Sequence, residues 1–388
     1  MQTTISTRPP RYPGAESAPT QDTWQDAPHN RWAFANVNDF VPTMTIARRK
    51  PARAGSVELG SLAGIGDLVR RLESAYTDAL VVVQRGSVIA EYYRPGFAPR
   101  DRHLLMSVSK SICGITLATL IDDGHVDPQS LVSGYLPELS GSAYGAVTVQ
   151  QVMDMTVAVD YDEDYRNPDS EVRAQDRIAR WSPSRAGDPV DTYEFLQTLR
   201  SNGVPGERFQ YCSADTDVLA WIIEAVTGQR YGDVVAERVW QRLGCRDDAS
   251  ITVDAGGFAF ANGGISCTAR DLARIGELML GGGALDSERI VSEAWVRQTL
   301  AGGDPQLARG LAIQRTHENA AYRNQWWSTG NERGNVYAVG IHGQYVWLDP
   351  LTDTVIVKLS SCPEPVTVGW NDVHAALFGD ICAALEES

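Results

Sequence analysis

Lysine is nearly absent from this chain. Of its 34 basic residues only Lys50, Lys110 and Lys358 are lysines, and those 34 face 49 acidic side chains, for a net charge of −15 over 388 residues. A surplus of that sign repels phosphate backbones and anionic lipid, so nucleic acid is not an expected partner. Long apolar runs are missing too. The charge-free stretch Ser111–Ile121 falls far short of the about 20 residues a membrane span needs, and no membrane partner is expected. The N-terminal residues lack the apolar stretch of about 7–15 residues that marks a secretory leader, which gives the expectation of a cytoplasmic protein. The six cysteines are scattered, with no Cys-x-x-Cys pair and no histidine at ligand spacing. Neither a disulfide framework nor a metal is expected from them, and the thiols read as reduced and packed.

What is present is a globular composition, 43% apolar. At roughly 150 residues per domain the length allows two or three structural units. Residues 1–35, rich in proline and polar groups and without periodicity, read as an arm extended over the body. Two β-rich runs, Ala79–Gln84 and Val88–Tyr93, flank Arg85-Gly86-Ser87 and predict an antiparallel hairpin. A second hairpin pairs Gln344–Leu348 with Thr354–Leu359 across Asp349-Pro350-Leu351-Thr352-Asp353. The stripe Val373, Leu377, Ile381, Leu385 predicts a helix covering a sheet. Between the hairpins the pattern turns helical, over 107–121, Val149–Met155 and Asp217–Thr227, the last stopped by Gly228. The predicted class is α+β: an antiparallel sheet built from 36–100 and 251–388, flanked by helices, with a mainly helical domain inserted over 101–250.

The rare lysine Lys110 stands in the chain's one Ser-x-x-Lys string, Ser107-Val108-Ser109-Lys110, at the start of a predicted helix. Three residues apart on a helix, the two side chains share a face. A serine hydroxyl is a poor nucleophile until a base takes its proton, and an amine whose pKa is lowered by apolar surroundings such as Leu104-Leu105-Met106 and Ile112-Cys113 can take it. The plain alternative is a capping serine and a surface lysine. Tyr211-Cys212-Ser213 precedes a second helix, with Ser213 the expected cap and Tyr211 a phenol that could lose its proton beside an ammonium and shuttle it. Tyr165-Arg166-Asn167 is a rival string, but in an acidic loop with no helix after it. No serine has glycine at both −2 and +2, and neither a Gly-rich phosphate loop nor His-Glu-x-x-His occurs.

Together with the terminal Gly343–Pro350 hairpin, these strings resemble the class C β-lactamase and family VIII esterase superfamily. Arg11–Gly14, His103–Lys110, Phe260–Gly264 and Gln325–Trp327 extend the likeness toward its branch of hydrolases acting on linear 6-aminohexanoate oligomers. The resemblance implies a β-lactamase or penicillin-binding-protein fold and acyl transfer, with Ser107 as nucleophile, Lys110 as its activator and Tyr211 as proton shuttle. It implies an oxyanion site at the amides of Ser107 and Ile341, and substrate contacts from Tyr165, Asp176, Asn262 and Trp327, with Asp176 meeting an ammonium end. No cofactor is implied. The expected partners are a small amide or ester substrate and a second copy of the chain in a homodimer. Where the lactamases carry Lys or His followed by Thr-Gly, this chain reads Ala338-Val339-Gly340. Without that cation, a substrate carboxylate beside the reacting centre loses a charge-assisted contact worth about 1.5–3 kcal/mol, and β-lactam turnover should be poor. Two other readings stay open: an esterase without amidase activity, and a ligand sensor on the same fold.

Overall fold

The computed structural model describes residues 19–386 except 40, 50–61, 63–64 and 367–368. The Arg11–Gly14 string and Lys50 lie outside the described residues. The first hairpin forms from β1 (Thr77–Gln84) and β2 (Ser87–Tyr93). Its two turn residues, Arg85 and Gly86, both take positive φ (49° and 73°), the backbone twist that a two-residue hairpin turn requires. Strand β1 reads as a continuous apolar run because both its faces are covered. Ala79, Val81 and Val83 enter the largest core, while Leu80 and Val82 enter a second one behind the sheet.

The later strands are β3 (Ala321–Arg323), β4 (Trp326–Ser328), β5 (Val336–Gly340), β6 (Gln344–Asp349) and β7 (Thr354–Ser360). They complete a seven-stranded antiparallel sheet in the order β2-β1-β7-β6-β5-β4-β3, so the two predicted hairpins meet where β7 pairs with β1.

Five helices frame the site and the sheet: α1 (Val108–Asp122), α2 (Glu171–Ile178), α3 (Ser213–Thr227), α4 (Ala269–Leu280) and α5 (Trp370–Glu386). Helix α5 covers one sheet face with Leu377, Phe378, Ile381 and Leu385. Val373, predicted to share that stripe, is half exposed, and His374 takes the inward position instead. Helix α4 lies against the other face so closely that a Cβ on Gly276 would sit 2.4 Å from Val355 Cγ1. In the helical region α1 packs on α3, and α3 ends at Gly228 with φ 66° as predicted. The short helix after Thr148 stops at Met153, two residues early.

Two features depart from the sequence expectation. A second, four-stranded sheet joins Thr43–Ile46, Ala249–Thr252, Ile265–Cys267 and His103–Leu104, so the boundaries drawn at 100 and 250 run through shared hydrogen bonds. The described part of the N-terminal arm is packed rather than extended over the surface. Trp24 and Phe34 are fully buried, and the Trp24 indole donates to the Trp181 carbonyl at 2.7 Å. All six cysteines are buried free thiols. Among the described residues, no helix is long and apolar enough to cross a membrane, and no cluster of three or more His, Cys, Asp or Glu could hold a metal.

Candidate active site

Ser107 occupies the cap position of α1, yet its side chain makes no capping bond. Its hydroxyl is turned one helical turn forward, where Lys110 Nζ donates to Oγ at 2.9 Å. The residue before it, Met106, holds φ at 50°, a left-handed backbone that costs a non-glycine residue free energy and persists only where packing enforces it. Met106 is itself buried with Leu104 and Phe34. The surface-lysine alternative fails, because Lys110 is 1% exposed. Its second donor bond goes to the Asn262 carbonyl at 2.8 Å. Burial pulls the Lys110 amine down to about 8, against the opposing pull of Glu163 and Asp217.

Tyr211 completes the triangle. Its ring lies beside the pair, with the Lys110 ammonium 5.2 Å from the ring centroid, and Tyr211 and Ser107 line one cavity. Burial, then the Glu163 charge, push the phenol well above its ordinary pKa, which favours its neutral form. The ring stacks on Trp327, with centroids 6.0 Å apart and planes 14° from parallel.

Strand β5 runs beside the start of α1. Among the described residues the amides of Ser107 and Ile341 donate to no protein acceptor, and both residues line the same cavity. Two amides without a protein acceptor, on residues that line one cavity, can stabilise an oxyanion. The cavity measures about 290 Å³, and of the predicted residues Ser107, Tyr165, Tyr211, Trp327 and Ile341 line it. Among the described residues its charged lining groups are Glu163 and Glu364, with no lysine or arginine.

Two predicted substrate contacts are not in that lining. Asn262 is buried, with its side-chain nitrogen donating to Asp217 Oδ2 at 2.7 Å while its backbone carbonyl holds Lys110. Asp176 on α2 is 5% exposed and accepts from Arg173 Nη1 at 2.7 Å. A buried carboxylate needs such a partner, and even so burial pushes it up to about 6. Ser213 is the first residue of α3 and not its cap. The capping is done by Glu163, which accepts from the Ser213 amide at 3.0 Å and its hydroxyl at 2.6 Å. Glu163 also accepts from the Tyr165 phenol at 2.8 Å. Sequence reading missed Glu163 as a lining group; its only signal was membership of the acidic run Asp160–Asp176.

The β-lactamase family profile matches residues 67–377. The chain is 53% identical over 382 residues to the 6-aminohexanoate-dimer hydrolase of Paenarthrobacter ureafaciens, covering 97% of each. It superposes on a Bacillus anthracis protein named provisionally as a 6-aminohexanoate-dimer hydrolase with a TM-score of 0.86 at 27% identity, over 95% of this chain and 97% of that one. A family VIII carboxylesterase shares the fold at a TM-score of 0.60 and 12% identity, over 84% and 99% of the two chains. With the resemblance read from its motifs met by relatives along nearly its whole length, the chain belongs to the β-lactamase family and is a hydrolase of that family's fold.

Proposed function

We propose that the chain cleaves linear amides of ω-amino acids, of the 6-aminohexanoate-dimer type, through an acyl-enzyme on Ser107, with short-chain esters as side substrates. The observation that carries this reading is the Ser107, Lys110 and Tyr211 triangle opening on a cavity whose charged lining residues are both acidic. The 53% identity to a hydrolase of that dimer supports the substrate class.

In the ammonium form Lys110 donates to both Ser107 and Asn262. Once neutral, it keeps the bond to the carbonyl and leaves its lone pair toward the Ser107 hydroxyl. Oγ attacks the scissile carbonyl carbon as its proton passes to Nζ. The tetrahedral oxyanion lies between the amides of Ser107 and Ile341. Tyr211 gives its proton to the leaving nitrogen and regains one from Lys110, the C–N bond breaks, and the acyl group stays on Oγ as an ester. Water then attacks that ester, its proton taken by the same pair, and the acid leaves with Oγ–H restored. Tyr165 and Trp327 face the substrate from the cavity wall. The reading extends to a cytoplasmic homodimer, whose stoichiometry light scattering measures.

The test is mass spectrometry of the acid-quenched protein after mixing with 6-aminohexanoate dimer. A mass increment of one 6-aminohexanoyl group, mapped to the peptide holding Ser107, is the expected result. Turnover by Ser107→Ala at the wild-type rate would show the nucleophile to be another group.

A further inference from the structure

Beneath the triangle lies a carboxylate that touches neither the cavity nor the hydroxyl. Asp217, on α3, is fully buried and accepts three hydrogen bonds. Its Oδ1 accepts from the Asn262 backbone amide at 3.1 Å. Its Oδ2 accepts from the Asn262 side-chain amide at 2.7 Å and from Gln175 Nε2 at 2.5 Å. Gln175 in turn accepts from the Tyr161 phenol at 2.5 Å, which ties the clamp to α2 and to the acidic loop.

Asn262 is thus gripped at its backbone amide and its side-chain nitrogen, and its backbone carbonyl is the acceptor that holds Lys110 Nζ. Among the described residues, the peptide that carries this carbonyl is otherwise held only within its own loop, where the Gly263 amide donates to the Phe260 carbonyl at 3.3 Å. We propose that Asp217 is a positioning residue for catalysis: by clamping Asn262 at two points it aims the Asn262 carbonyl at Lys110 and so sets both the placement of the amine and the pH at which it becomes a base. The inference rests on the reading of Lys110 as the activator of Ser107.

The charge acts in the same direction as the geometry. Asp217 lies close enough to Lys110 to favour its ammonium form. The other ionisable groups around the amine are Glu163 from the acidic loop, Tyr211, Cys212 and Asp215 from the start and first turn of α3, and Cys113 on its own helix. Asp215 already shares a proton-bearing partner, since the Tyr144 phenol donates to it at 2.9 Å, and burial pushes it up to about 8. The groups facing Asp217 besides Asn262, Gln175 and Lys110 are Cys113 and Tyr231, both held as neutral acids by burial. Burial pushes Asp217 itself up to about 7, so its charge is present above that pH, where removing it, and with it the aimed carbonyl dipole, takes two stabilising influences from the ammonium. The amine then loses its proton at lower pH.

The experiment is the burst rate of acylation by a p-nitrophenyl ester as a function of pH, normalised to active sites titrated with a fluorophosphonate. In Asp217→Asn the maximal rate is expected to fall on the order of ten- to a hundredfold, the loss that misplacing a catalytic group brings. The acid limb is expected to move to lower pH by about half a unit or more. The double variant Asp217→Asn with Asn262→Asp, which restores a donor and acceptor match and the negative charge, should return the limb toward the wild-type position. If Asp217→Asn does not fold, Asn262→Ala removes one arm of the clamp and should lower the burst rate several-fold with KM nearly unchanged. An unmoved acid limb in folded Asp217→Asn, with loss only in the number of titrated sites, overturns the proposal, as does a wild-type burst rate in Asn262→Ala. Wild-type protein run alongside keeps the two readings apart, because absence of label on Ser107 there strikes at the nucleophile and not at Asp217.

Discussion

Gly340 and Ser107 approach so closely that a Cβ on Gly340 would lie 3.0 Å from the Ser107 amide nitrogen and 2.6 Å from the Leu105 carbonyl oxygen. Both neighbours are backbone and neither can swing aside, so the glycine sets the gap between β5 and the start of α1, on whose two sides Ile341 and Ser107 line the cavity. Gly340→Ala should force β5 and the start of α1 apart. The expected outcome is a stability loss of about 1–3 kcal/mol, as for overpacking elsewhere, measured by urea unfolding. The turnover number should fall on the order of 10²-fold, the cost of losing one oxyanion donor, measured on a short-chain ester.

The pH dependence of acylation follows from the buried amine. On the proposed mechanism the reactive form of Lys110 is neutral, and burial brings its pKa down to about 8 from the ordinary lysine value. Below that pH the ammonium dominates, and the neutral fraction is roughly one tenth a unit lower. Acylation should therefore climb tenfold per unit through neutral pH and level off above about 8. Stopped-flow measurement of the first turnover with a p-nitrophenyl ester checks this. A limb centred near 10.5, the unperturbed lysine value, would mean that burial does not tune the amine.

Tyr211 is the group on which amides and esters should part company. An amine leaves only when protonated, whereas an alkoxide or phenoxide needs little help, and the phenol's raised pKa keeps the proton on Tyr211 until it is needed. Tyr211→Phe keeps the stack on Trp327 and removes the proton. Amide turnover should fall on the order of 10²–10⁴-fold, the range of general acid catalysis. Hydrolysis of an activated ester should fall far less. Parallel kcat values on the 6-aminohexanoate dimer and on p-nitrophenyl acetate measure the difference.

The parts of the site that sequence reading reached are those whose signal is local. Ser107 and Lys110 are one helical turn apart, and the amine's rarity drew attention to it. The hairpins announced themselves through β-branched runs broken by turn residues, and the site motifs through strings shared with a family. What was not legible depends on distant partners. Glu163 caps a helix that begins 50 residues later, and nothing in its own neighbourhood distinguishes it from Asp162 or Asp164, which are exposed. Asn262 and Asp176 were assigned to the cavity by resemblance, yet a buried amide and a buried carboxylate must satisfy themselves first, and Asp217 and Arg173 claim them. The strand His103–Leu104 is two residues long and carries no period at all, so the sheet that joins the two halves of the chain could not be read.

On the proposed function, a substrate's ammonium end would meet the carboxylates that line the cavity. Asp176 is buried with its Oδ2 given to Arg173 and is not among the residues that line the cavity. Glu163 lines the cavity but spends both oxygens on Ser213 and Tyr165, and neutralising it would also uncap α3. Glu364, on the exposed turn before α5, lines the same cavity and can be changed without disturbing a cap. At a solvated rim an ion pair is worth about 0.2–1 kcal/mol. Glu364→Gln should therefore raise KM for an amide bearing a free ammonium by about 1.5- to 5-fold while leaving kcat alone. A neutral ester of the same length should keep its KM, and added salt should shrink the difference between wild type and variant. Equal changes on both substrates would show that Glu364 shapes the rim without reading charge.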